Sequence, residues 1–108
     1  MLLFISFNHS AEAQQKKVVT EKFTVSGVCG MCEKRIEKAA LIKGVKMADW
    51  NKETKELTVI YKPSKVSLDE IHKAVAKAGH DTGKVTASDE VYAKLPACCR
   101  YRDGVEPH

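Results

Sequence analysis

The stretch Gly27-Val28-Cys29-Gly30-Met31-Cys32-Glu33-Lys34-Arg35-Ile36 decides how this chain is read. A strand-like run, Phe23-Thr24-Val25, leads into it, and a helix-like run, Ile36 to Ile42, leads out. Two thiols separated by two residues therefore sit where strand becomes helix. At such a junction the free backbone N–H groups and the positive end of the helix dipole favour thiolate over thiol. Thiolates are soft ligands and select soft metals such as Cu(I) or Zn(II). The same spacing serves thioredoxin-type redox catalysis, which expects an aromatic residue before the first cysteine, where Val28 stands. A plain disulfide between Cys29 and Cys32 is the third reading.

Outward from that stretch, Val18 to Ser26 reads as a strand, with Val19, Phe23 and Val25 on one face. After the cysteines a helix runs from about Met31 to Ile42. Cys32, Ile36, Ala39 and Ala40 recur at helical spacing, and Gly44 ends the element. Val45 to Trp50 and Glu56 to Lys62 alternate as strands around the polar turn Asn51-Lys52-Glu53-Thr54-Lys55, which predicts an antiparallel hairpin. Trp50 and Tyr61 are core candidates. Ser67-Leu68-Asp69-Glu70 is a capping box. Leu68, Ile71, Ala74, Val75 and Ala78 line one face of the helix that follows, Gly79 closes it, and His72 is expected to point outward. Thr82 to Thr86 is a weak fourth strand. The order βαββαβ predicts an α+β, ferredoxin-like sandwich: a four-stranded antiparallel sheet with both helices on one face.

Of the 108 residues, 44% are hydrophobic, which supports one domain with a modest core. The formal net charge is +4, and basic residues are scattered among acidic ones without a basic block or aromatic interleaving. Nucleic acid is therefore not an expected partner. Met1 to Ala13 holds a short apolar run followed by Ala11-Glu12-Ala13, the form of a secretory signal with its cleavage site, although no Lys or Arg precedes the run. Export to a periplasmic or extracellular setting is the expectation, and a cytoplasmic location the alternative if residues 1–13 are not a signal. The run is too short to span a bilayer, so no stable membrane insertion is expected. Residues 14–87 form the expected domain, and 88–108 an extension in which Ser88-Asp89-Glu90 starts a short helix that Pro96 ends. The extension also carries Cys98 and Cys99, adjacent thiols that cannot pair with each other without strain. They are candidate further metal ligands or bridging partners of Cys29 and Cys32.

Gly27-Val28-Cys29-Gly30-Met31-Cys32, with Gly44-Val45, Tyr61 and Ala78-Gly79-His80-Asp81, resembles the heavy-metal-associated domain family over about Val18 to Thr86. That family includes copper chaperones, metal-binding modules of copper-transporting P-type ATPases and periplasmic mercury-binding proteins. The resemblance implies that Cys29 and Cys32 bind a soft ion, Cu(I) first, with Hg(II) or Zn(II) as alternatives. It implies transfer to or from a donor or acceptor such as a metal transporter, without enzymatic turnover, and permits a metal-bridged homodimer. His80 falls in the loop at the same end of the sheet as the cysteines and is a candidate third ligand. Lys34, Arg35 and Lys84 are candidates for offsetting the metal-thiolate charge or docking an acidic partner. The motif departs from the usual bacterial form, in which Gly-Met-Thr or Gly-Met-Ser precedes the first cysteine; here Gly27-Val28 does. The competing functions are a thiol-disulfide oxidoreductase on the same cysteines and a disulfide-stapled interaction module.

Overall fold

The structure, a computed structural model, describes residues 17–103; the expected signal at 1–13 lies outside them. Strands β1 (Val19–Thr24), β2 (Val45–Trp50) and β3 (Glu56–Tyr61) form an antiparallel sheet in the order β1-β3-β2. Leu57 pairs with Phe23 on one side and Trp50 on the other. The β2–β3 hairpin forms as its alternation predicts. Its turn is fixed by Asn51, whose side-chain oxygen accepts from Glu53 N at 2.8 Å and Thr54 N at 3.0 Å. A side-chain acceptor of this kind is why Asn favours turns.

Helices α1 (Gly30–Ala40) and α2 (Leu68–Lys77) cover one face of the sheet. Leu57, Val59 and Tyr61 from β3 meet Ile36 and Ala40 from α1 and Ile71 and Val75 from α2 in a single core. Period-2 and period-3.6 apolar patterns thus bury their faces against each other. Trp50 lies in this core with 1% of its surface exposed, and its indole N–H donates to Val25 O at 3.0 Å. The capping box holds as expected: Ser67 Oγ accepts from Glu70 N at 3.1 Å, and Glu70 Oε1 accepts from Ser67 N at 2.8 Å.

Two expectations are corrected. The sheet has three strands among the described residues, and Thr82 to Thr86 contributes only an isolated Val25–Thr82 bridge. The cause is local. Thr82 Oγ1 accepts from Lys84 N at 3.1 Å and Val85 N at 2.9 Å, and Thr82 N donates to Val85 O at 2.8 Å. A hydroxyl that bonds backbone two and three residues on offers the chain a turn in place of a ladder. The second correction concerns His72. It is 4% exposed, stacks on Phe23 with ring centroids 3.8 Å apart, and places Nδ1 2.7 Å from Thr82 Oγ1. The buried face of α2 is wide enough to meet the β1 edge and the Thr82 turn as well as the central core.

Beyond α2 the chain forms a short helix, α3 (Asp89–Tyr92), capped by Ser88, whose hydroxyl accepts from Val91 N at 3.3 Å. Two 3₁₀ turns follow, Ala97–Cys99 and Tyr101–Asp103. No helix among the described residues is long and apolar enough to cross a membrane.

Candidate metal centre

The β1–α1 loop is held from both sides. Val25 N donates to Lys55 O at 2.8 Å, and Ser26 N donates to Asp81 O at 2.8 Å, which ties this loop to the one after α2. Gly27 then packs against Trp50 so closely that a Cβ there would lie 2.9 Å from the ring, which only a residue without a side chain allows. The chain is thereby aimed so that Cys29 becomes the N-cap of α1 with extended backbone.

An N-cap residue has unsatisfied helix N–H groups beside its side chain. Burial alone would raise the Cys29 thiol pKa. The N–H groups of Cys32 and Met31 and the thiols of Cys32 and Cys98 outweigh it, and the pKa lies below the ordinary thiol value. The helix terminus therefore stabilises a thiolate at Cys29. Cys32 lies one turn along α1 and is fully buried.

The tail brings the other two sulfurs to the same place. All four cysteines are free thiols. The sulfurs of Cys29, Cys98 and Cys99 lie within 4.8 Å of one another. The Cys99 thiol interacts with Cys32 and Cys98, and its pKa is driven far up, by burial first and then by those neighbours. The Cys29 thiol points at Cys98 O, 3.8 Å away. Cys98 Sγ lies 3.5 Å from Met31 Sδ. Exposure is graded across the cluster: Met31 is 53% exposed and Cys98 half-buried, whereas Cys32 and Cys99 are fully buried.

The anchors of this tail are residues that sequence inspection did not single out. Tyr101 OH donates to Gly79 O at 2.6 Å and accepts from Asp81 N at 2.9 Å. Arg102 forms an ion pair with Asp81 at 2.8 Å and another with Asp89 at 3.1 Å, donates to Ala87 O at 2.7 Å, and lies over the Tyr92 ring at 4.4 Å. Burial tends to raise the Asp81 carboxyl pKa, but Arg102 and the Ala87 N–H hold it below the usual value. Arg100 closes the first turn by donating to Leu95 O at 3.2 Å and Ala93 O at 3.1 Å.

His80 is at the expected end of the sheet but outside the three-sulfur group. It is fully buried, its Nδ1–H donates to Ser26 O at 2.8 Å, and Tyr101 stacks on it at 5.7 Å. Its Nε2 is buried with no hydrogen-bond partner. Burial lowers its pKa, so the ring is held neutral. Arg35 donates to Ala78 O at 3.2 Å, and Lys84 pairs with Asp69 at 2.7 Å on the surface. Lys84 is thus engaged away from the cysteines.

A family model described as the heavy-metal-associated domain matches residues 22–81. The chain belongs to the heavy-metal-associated domain family. Among solved structures it resembles a CopZ metallochaperone at 35% identity, with TM-score 0.57 over 59% of this chain and 98% of the other. It is also similar to the N-terminal domain of a potential copper-translocating P-type ATPase from Bacillus subtilis in its Cu(I)-loaded state, at 33% identity and TM-score 0.57, covering 60% and 84%. Oxidised MerP from Ralstonia metallidurans CH34 shares 29% identity, with TM-score 0.52 over 60% and 96%. No curated protein matches the chain. The heavy-metal-associated domain match contains Cys29, Cys32 and His80 and ends before Cys98 and Cys99.

Proposed function

We propose that this heavy-metal-associated domain protein binds a soft metal ion, Cu(I) or Hg(II), through Cys29 and Cys32 and hands it to a partner protein by thiolate exchange. The observation that carries the reading is the Cys29 thiol at the N-terminus of α1, held toward thiolate by the N–H groups of Cys32 and Met31 against its burial, with Cys32 one turn along. Two adjoining soft donors on a preorganised helix end suit a d¹⁰ thiophilic ion. The ion is cargo: it leaves when thiols of the acceptor displace Cys29 and Cys32 one at a time, each new metal–sulfur bond replacing a broken one. Likeness to the CopZ metallochaperone and to the N-terminal domain of a potential copper-translocating P-type ATPase in its Cu(I)-loaded state supports Cu(I) as cargo and a metal transporter as partner. Membership in a family that includes mercury-binding proteins supports Hg(II) as the alternative cargo. Export belongs to the same proposal and rests on residues 1–13, and so does a metal-bridged homodimer, which rests on paired two-thiol sites.

The test is hand-off. Reduced protein carrying one Cu(I) is mixed with the metal-free N-terminal domain of a copper-transporting ATPase, and the two are separated and assayed for copper. Copper distributed between them within the mixing time supports the reading. Copper that stays put, together with insulin reduction by the metal-free protein, overturns it in favour of thiol-disulfide oxidoreductase activity.

A further inference from the structure

The family match ends at Asp81, yet two thiols from the tail converge on the motif. We propose that Cys98 and Cys99 are metal ligands: a thiophilic ion bound at Cys29 and Cys32 draws a third sulfur from the tail, and an ion that demands four draws both. The inference rests on Cys29 being a ligand, as in the function proposed above.

Geometry carries it. A metal–sulfur bond of about 2.3 Å places three trigonal sulfurs about 4.0 Å apart and four tetrahedral ones about 3.8 Å apart. The sulfurs of Cys29, Cys98 and Cys99 already lie within 4.8 Å of one another, and the Cys32 thiol contacts those of Cys29 and Cys99, so an ion needs side-chain adjustment and no rearrangement of the chain. The arrangement is built. Pro96 starts the 3₁₀ turn that presents both thiols, Arg100 closes it through two backbone carbonyls, and Tyr101 and Arg102 fasten it to the Gly79–Asp81 loop. Cys99 is fully buried against Cys32, and Cys98 remains half-buried beside the exposed thioether of Met31. Met31 and Cys98 are thus the sulfurs an arriving ion meets first, and Cys99 one it meets later. The ligand class is a d¹⁰ ion that accepts three or four thiolates: Cu(I) in a trigonal site, or Zn(II) or Cd(II) in a tetrahedral one.

X-ray absorption at the copper edge, on reduced full-length protein carrying one Cu(I), counts the sulfurs, while competition with a Cu(I) chelator reads affinity and light scattering reads mass. The expected result is three sulfurs in a monomer, falling to two in Cys98→Ser/Cys99→Ser with at least tenfold weaker binding. Two sulfurs in the unaltered protein overturns the inference. So does a count of three that persists in the variant within a dimer. If the double variant fails to fold because Cys99 is buried, the count in the unaltered protein decides, with Cys98→Ser supplying the affinity comparison. Failure of the underlying reading looks different: the unaltered protein binds no Cu(I), or Cys29→Ser binds it as well as the parent.

Discussion

Replacing Tyr101 by Phe removes one oxygen and two hydrogen bonds, the donation to Gly79 O at 2.6 Å and the acceptance from Asp81 N at 2.9 Å. The ring and its packing on His80 and Tyr92 are kept. Each backbone group left without its partner costs about 1–3 kcal/mol when buried. This site is only part-buried, so the lower end applies and the pair sums to about 2 kcal/mol. At about 1.4 kcal/mol per tenfold, the tail's docking constant falls about 30-fold. Cys99 is fully buried by the docked tail, whereas Cys98 is half-buried. Labelling of reduced, metal-free protein with a thiol reagent, read by mass spectrometry, therefore has an internal control. Cys99 is expected to react about 30-fold faster in the variant, in line with the docking constant, and Cys98 only slightly faster. Equal Cys99 rates in parent and variant would refute the placement of Tyr101 as the tail's anchor.

Three further outcomes rest on other contacts of the fold. Ser67→Ala removes the α2 cap and lowers stability by about 1 kcal/mol, read as a melting temperature lower by about 4–8 °C, with Cu(I) affinity unchanged because the cap lies at the end of α2 away from the cysteines. Gly79→Ala forces φ +106° on a residue with a Cβ and sets that Cβ 2.9 Å from Leu95 Cδ2; it costs more than about 1 kcal/mol in urea denaturation and loosens the tail. Burial depresses the pKa of His72, with Lys84 adding to the effect, and burial depresses that of His80. The unfolded chain takes up protons near pH 6.5 that the folded chain refuses, so stability falls as pH drops through about 6.5 and levels off below the folded pKa values. Urea midpoints at pH 7.5, 6.5 and 5.5 check this, and His72→Gln is expected to flatten the profile.

The parts of the fold that local rules govern were legible in the sequence. The strand-to-helix placement of Cys29 and Cys32, the Val45–Tyr61 hairpin and the Ser67 capping box each follow from residues within a few positions of one another. What escaped depends on pairings across the chain. The fourth strand fails because a single hydroxyl at Thr82 captures the backbone it was meant to extend. His72 is buried because β1 and the Thr82 turn meet the flank of α2. At the site, the two cysteines of the motif were plain, and Cys98 and Cys99 stood out only as unexplained thiols. Nothing in a single sequence pairs Arg102 with Asp81 or Tyr101 with Gly79, and those contacts are what carry the tail to the motif. His80 was placed at the correct end of the sheet; that its Nδ1–H donates to Ser26 O is a pairing across the chain that no local pattern announces.

Whether Cys29 and Cys32 hold a soft metal ion is decided by anaerobic titration of the reduced protein with Cu(I) against a competing chelator. Expected is binding of one Cu(I), weakened at least a hundredfold in both Cys29→Ser and Cys32→Ser, with circular dichroism unchanged. Binding of equal strength in the parent and either variant, or none in the parent, would contradict it.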